Sequence, residues 1–149
     1  MTPSESSPKK LAWLYLIAAI LSLGGLADAI YLTVQDITGA SLRCTIISGC
    51  SEVLASKYAH IGSLPLASLG AFAYFVFFSL AILAAFGYAF ARPFLTILVT
   101  LMFLTSLWLI YLQAFVIHHF CQYCLLSAAI TMILTLLVFS SRFGRARPE

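Results

Sequence analysis

The sequence predicts an all-α integral membrane protein, a bundle of four transmembrane helices. Two observations carry that prediction. Hydrophobic residues make up 62% of the 149 and charged residues only 9%, a balance unsuited to a water-soluble domain and suited to a polytopic membrane protein. Four stretches with few or no charges, at 11–34, 64–90, 94–117 and 120–140, also exceed the roughly 18 residues a helix needs to cross a bilayer. They predict one membrane domain over residues 11–140 with no appended soluble module. Residues 1–10 are expected to form a disordered tail, because the first eight are rich in Ser and Pro. Residues 141–149 form a basic tail.

In the first span, Gly24-Gly25 would let another helix approach closely. Ala27-Asp28-Ala29 has the small-x-small form of a signal-peptide cleavage site, but the apolar run is longer than a signal core and Ile30, Tyr31 and Leu32 continue it. A retained transmembrane helix is the better reading. Asp28 is the only carboxylate in a predicted span, which is a functional hypothesis by default. Its nearness to the helix end favours reaching the interface or hydrogen-bonding within the bundle.

Residues 35–63 are polar. Within them 51–58 reads as a short helix, with Glu52 in its first turn and Lys57 in its last, as the dipole favours. Val53, Leu54 and Tyr58 would rest on the bundle top or the bilayer surface. Gly62-Ser63-Leu64-Pro65 turns the chain into the second span, where Pro65 is tolerated near the first turn. Ala91-Arg92-Pro93 is expected to be a tight reversal. The connection at Ile117-His118-His119 is short enough to make the third and fourth spans antiparallel neighbours.

Basic residues set the orientation. Lys9, Lys10, Arg92, Arg142, Arg145 and Arg147 lie on one side and Arg43 and Lys57 on the other. Six against two places both termini in the cytoplasm. Four cysteines then face outward, where paired thiols persist as disulfides. Cys44 and Cys50 lie in the long polar loop. Cys121-Gln122-Tyr123-Cys124 stands at the mouth of the last span, where the positive end of a helix dipole lowers a thiol pKa. Cys121 is expected to be the more exposed of the two and Cys124 to lie a turn deeper, near lipid. A loop pair above an inner pair suggests a relay of disulfides. Two structural disulfides are an alternative, with three possible connectivities. A zinc site with His118 or His119 is another, but the Cys spacing is not a strong zinc pattern and the oxidising side disfavours it. No metal and no nucleic acid are expected.

With Val53, Ser56, Tyr58, Gly62, Pro65, Gly70 and Tyr74 between the two pairs, and Asp28, Tyr31, Leu32 and Thr33 before them, the chain resembles the vitamin K epoxide reductase family. More narrowly, it is similar to the bacterial branch that couples disulfide formation to quinone reduction. The resemblance spans about 11–140. It implies four helices around a quinone head group, capped by the first outward loop and its short helix. It also implies that Cys124 lies beside the quinone, Cys121 is its partner, Cys50 exchanges with Cys121, and Cys44 meets the partner protein. The quinone would be ubiquinone or menaquinone, as electron-accepting substrate in the plasma membrane. The donor would be a separate thioredoxin-fold protein.

Two positions depart from the family's animal enzymes. Ala128 and Leu66 stand where those enzymes carry a tyrosine and an asparagine that hold the quinone, which weighs against action on vitamin K epoxide. Tyr74 and Tyr111 are candidates to offer a quinone hydroxyls inside the bundle, and His118 and His119 to supply protons. Two rival classes are a small transporter using Asp28 as its coupling carboxylate and a disulfide-stapled scaffold. The other known four-helix disulfide oxidant carries its Cys-x-x-Cys in the first outward loop, the reverse of this order.

Overall fold

The structure is a computed structural model that describes residues 8–39, 44–46 and 49–146. Helix α1 covers Pro8–Thr38, short helix α2 Cys50–Ala55, α3 Leu66–Ala85, α4 Ala91–Tyr111 and α5 Gln122–Ala146. Four of them are long and apolar enough to cross a membrane: Lys9–Thr38, Leu66–Ala85, Ala91–Ile117 and Gln122–Phe143. The all-α four-helix membrane bundle is therefore observed. The expected disorder of residues 1–7, the loop basic residue Arg43 and Arg147 of the tail lie outside the described residues.

Several boundaries differ from the sequence reading. Helix α1 starts at Pro8, so Lys9 and Lys10 form its first turn instead of a tail; proline is favoured there because its missing N–H is not needed. At its other end α1 runs one turn past the apolar stretch, to Thr38, and Gly39 stops it at φ +65°, a left-handed conformation that ends helices. Its 31 residues span about 46 Å at 1.5 Å per residue, more than the ~30 Å hydrocarbon core. Asp36 therefore stands clear of the apolar layer. The reversal expected at Ala91–Pro93 lies earlier. Gly87 at φ +96° turns the chain, and Arg92 and Pro93 enter the first turn of α4. Helix α5 continues to Ala146, and the hydroxyls of Ser141 and Tyr15 meet at 3.2 Å, so the start of the expected basic tail is part of the bundle.

Around the bundle α1 contacts α3, α3 contacts α4, α4 contacts α5, and α5 closes on α1. The interior combines Phe77, Leu95, Val99 and Leu134 with the small residues Ala18, Ala19, Ser22, Ala81 and Ala91. Small residues let membrane helices approach closely, where dispersion contacts drive association. Gly25 serves one such approach: a Cβ there would strike the ring of Tyr74. The close neighbour is thus a side chain of α3, and Gly24 meets nothing. Trp13, Ile20, Phe72, Ile97, Leu104 and Leu136 point outward, as a lipid-facing surface requires.

At one end of the bundle α2 leads through a 3₁₀ turn, Lys57–Ala59, into a two-stranded hairpin of β1 (His60–Ile61) and β2 (Leu64–Pro65). His60 pairs with Pro65 and Ile61 with Leu64 in antiparallel register. Gly62 takes φ +65° in the two-residue turn, where hairpin twist favours a positive φ. His60 Nε2 lies 2.8 Å from Asp36 Oδ2, tying the hairpin to the end of α1.

Candidate thiol–disulfide site

All four cysteines meet at this capped end, in one cluster with Leu32 and Val53. Cys44 and Cys50 are joined by a disulfide, with Cα atoms 5.9 Å apart, inside the usual bridging range of about 4.4–6.8 Å. Cys121 and Cys124 are free. Cys50 is buried while Cys44 is half-buried, so the loop pair has an inner and an outer sulfur.

Gly49 brings the pairs together. A Cβ at that position would lie 2.7 Å from the carbonyl oxygen of Phe120 and 3.2 Å from its nitrogen. Only a residue without a side chain lets the Cys50 loop rest directly on the backbone that opens α5. Gln122 pins the same loop from the other side: its Oε1 accepts the Ile46 N–H at 2.9 Å, and its Nε2 donates to Thr45 Oγ1 at 3.3 Å. Tyr123 meets Tyr31 of α1 with ring centroids 5.3 Å apart. Of the two middle residues of the Cys-Gln-Tyr-Cys motif, Gln122 thus holds the cysteine loop and Tyr123 packs on α1.

Cys121 caps α5. Its carbonyl accepts the Leu125 N–H at 3.0 Å, and its sulfur accepts the Cys124 N–H at 3.4 Å, the side-chain-to-N3 bond of an N-cap. Hydrogen bonds from the Cys124 thiol, then from the Cys124 and Tyr123 backbone, lower the Cys121 pKa from 9.0 to about 7, while burial and the Asp28 charge oppose them. The Cys121 N–H is satisfied too, donating to Gln113 Oε1 at 3.0 Å. Gln113 reaches it from a π-helical segment, Leu112–Ile117, that continues α4 and ends at His118 with φ +59°. Such π segments are frequent at functional sites.

The expected exposures of the inner pair are reversed. Cys121 is fully buried, because the Gly49–Cys50 loop, Leu32 and Val53 cover it. Cys124 instead lines a cavity of about 140 Å³ beneath the cap. Asp28 and Leu32 of α1, Val53 and Tyr58 of the cap, Leu66 and Gly70 of α3, and Gln113 and Ser127 contribute to its walls, which are mainly apolar. An apolar cavity of about 150 Å³ suffices to hold benzene, so this one matches a single six-membered ring. Cys124 stands in the wall of this ring-sized space.

Other sequence candidates fall elsewhere. Neither Tyr74 nor Tyr111 lines the cavity. Tyr74 lies within the bundle, its hydroxyl 2.8 Å from Ser127 Oγ and 3.0 Å from Thr131 Oγ1, and so supports the wall without forming it. Tyr111 is on the outer face, between Trp108 and Phe115, where tyrosines sit as interface anchors. His118 and His119 are exposed and also outside the cavity. Asp28 is 8% exposed, and its Oδ2 has no hydrogen-bond partner, so of the two expected alternatives the hydrogen bond within the bundle is not observed. Ser56 lines the cavity and donates to the Val53 carbonyl at 2.7 Å.

A disulfide set on a free, helix-capping Cys-x-x-Cys, with one of its sulfurs open to an apolar cavity between transmembrane helices, is an arrangement that can support thiol–disulfide exchange in a membrane protein. Residues 16–139 match the vitamin K epoxide reductase family, and the chain belongs to it. No individual curated protein matches the chain.

Proposed function

We propose that this protein is a thiol:quinone oxidoreductase of the family's bacterial disulfide-forming branch. It reoxidises a thioredoxin-fold protein outside the cytoplasm and passes the electrons to a membrane quinone, either ubiquinone or menaquinone. Its termini are cytoplasmic and its cysteines face outward. The observation that carries this reading is the division of labour among the sulfurs: Cys44 is half-buried at the outside, Cys50 adjoins Cys121, and Cys124 alone faces the ring-sized cavity.

The chemistry is ordinary thiol–disulfide exchange. The partner's thiolate attacks Cys44 and leaves the loop pair as a dithiol. The Cys50 thiolate then attacks Cys121, the Cys121–Cys124 bond breaks, and Cys124 leaves. Cys44 next attacks Cys50 and releases Cys121, whose lowered pKa makes it a good leaving group. The product is a Cys44–Cys50 disulfide over a reduced Cys121/Cys124 pair, the arrangement in this structure. A quinone in the cavity supplies the two-electron sink that returns Cys121 and Cys124 to the disulfide.

Mixing purified, fully reduced protein with ubiquinone or menaquinone tests the proposal. Four thiols should be consumed and two quinols formed per chain, because the loop pair drains through the inner pair. Thiols that stay reduced under either quinone would refute it. A stapled scaffold would behave in that way.

A further inference from the structure

The cavity holds one group that the cysteine relay does not use. Asp28 shares a face of α1 with Ala29, Leu32 and Asp36, and all four line the cavity. Cys124, Ser127 and Gln113 line the same cavity. The two carboxyl groups of this stripe differ sharply. Asp36, at the capped end, is paired with His60, whereas Asp28 lies eight residues deeper with Oδ2 buried and unpartnered. Burying a lone carboxylate in apolar surroundings costs far more than burying the neutral acid. A neutral carboxyl carries a transferable proton.

Quinone reduction requires such a proton. We infer that Asp28 is the acid that protonates a quinone carbonyl oxygen as the Cys121/Cys124 pair delivers its electrons. This inference rests on the proposed quinone-reducing function. The step balances as follows. Cys121 enters as thiolate, Cys124 as thiol and Asp28 as carboxylic acid. The Cys121–Cys124 bond forms and two electrons pass to the ring. One ring oxygen takes the Cys124 proton and the other takes the Asp28 proton. Quinol, a disulfide and the Asp28 carboxylate result. The next dithiol donor releases two protons when it is oxidised; one restores the Cys124 thiol and the other Asp28.

The other proton-bearing groups in the wall include Tyr58 and Ser56 at the cap and Asp36, which is paired with His60. Leu66 presents only hydrocarbon to the cavity, Tyr74 spends its hydroxyl on Ser127 and Thr131, and the exposed histidines are outside the cavity. Gln113 lines the wall but has no proton to give at neutral pH.

Asp28→Asn and Asp28→Glu, in full-length protein embedded in lipid, test the inference with a short-chain ubiquinone as probe. Three quantities are read: single-turnover quinol formation, equilibrium quinone affinity, and the rate at which dithiothreitol reduces the cysteine pairs. Asp28→Asn should slow quinol formation at least about a hundredfold, the usual scale for loss of a positioned acid. Affinity and dithiothreitol exchange should stay within threefold, and Asp28→Glu should recover much of the rate. A further readout needs no variant. The infrared difference spectrum of wild-type protein, reduced pair against product after one turnover, should show the loss of a protonated-carboxyl band. Quinol formation by Asp28→Asn within threefold of wild type, or no carboxyl band change in the wild type, overturns the role of Asp28 while leaving the quinone function intact. Wild-type protein that exchanges with dithiothreitol but neither binds nor reduces the quinone overturns both.

Discussion

Gly49→Ala places one methyl group where the cysteine loop rests on the start of α5. The new Cβ would sit 2.7 Å from the Phe120 carbonyl oxygen, about 0.7 Å inside the 3.4 Å at which ordinary contact begins. The obstacle is backbone at the end of a helix, so the loop has to yield, and Cys50, the next residue, moves with it. Misplacing a reacting group by ~1 Å can cost about a hundredfold in rate. A displacement of about 0.7 Å therefore predicts a roughly tenfold to hundredfold loss in exchange between the Cys44/Cys50 and Cys121/Cys124 pairs. The assay starts from oxidised protein and adds a dithiol, with acid quenching, alkylation and mass spectrometry to follow each pair in time. The loop pair should be reduced at the normal rate and the inner pair slowly. Quinol formation from pre-reduced Cys121/Cys124 should be unchanged, since those residues keep their own hydrogen bonds. Inter-pair exchange within twofold of wild type would refute the argument that close approach at Gly49 sets the spacing of the relay.

Other outcomes follow from individual contacts. Thiolate absorbance of the reduced protein should rise with pH through a midpoint near 7 for Cys121, since its hydrogen bonds favour the deprotonated sulfur. Cys124→Ala removes the sulfhydryl donor and should raise that midpoint, and an unchanged midpoint would assign the effect to the backbone N–H groups instead. Gln113→Leu strands the buried Cys121 N–H, so thermal unfolding should show a loss of about 1–3 kcal/mol; stability equal to wild type would mean that another acceptor takes over. Cys50→Ala should accumulate a mixed disulfide between Cys44 and a thioredoxin-fold protein, dissolved by reductant, because the resolving sulfur is gone. Accumulation on Cys44→Ala instead would exchange the two roles.

The number of spans and the gathering of four cysteines at one end were legible in the chain. Both depend on quantities that add up along it: apolar length against bilayer thickness, and the position of polar segments between apolar ones. The cysteine pairs, read with Ser56, Gly62, Pro65 and Gly70, also pointed to the family that residues 16–139 match. A short helix in the cap was visible as well, from Glu52 in its first turn, but the one expected over 51–58 ends at Ala55, because extended Ser56 breaks it and leaves Lys57 in a separate 3₁₀ turn.

Which residues face the cavity was decided only by the folded bundle. A membrane helix is apolar on every side, so its sequence lacks the polar stripe that marks the outer face of a soluble helix. Rotation about each axis is set by small contacts such as Gly25 against Tyr74. That rotation turned Tyr111 outward, sent Tyr74 to Ser127 and left Asp28 unpartnered in the cavity wall. Spacing three residues apart put Cys121 and Cys124 on one face, but their exposures came from a loop more than 70 residues distant in the chain. Gly49 lets that loop settle on Phe120 and bury Cys121, leaving Cys124 as the sulfur that faces the cavity. Depth along a helix can be counted from its sequence, whereas cover requires the partner surface that only the tertiary fold supplies.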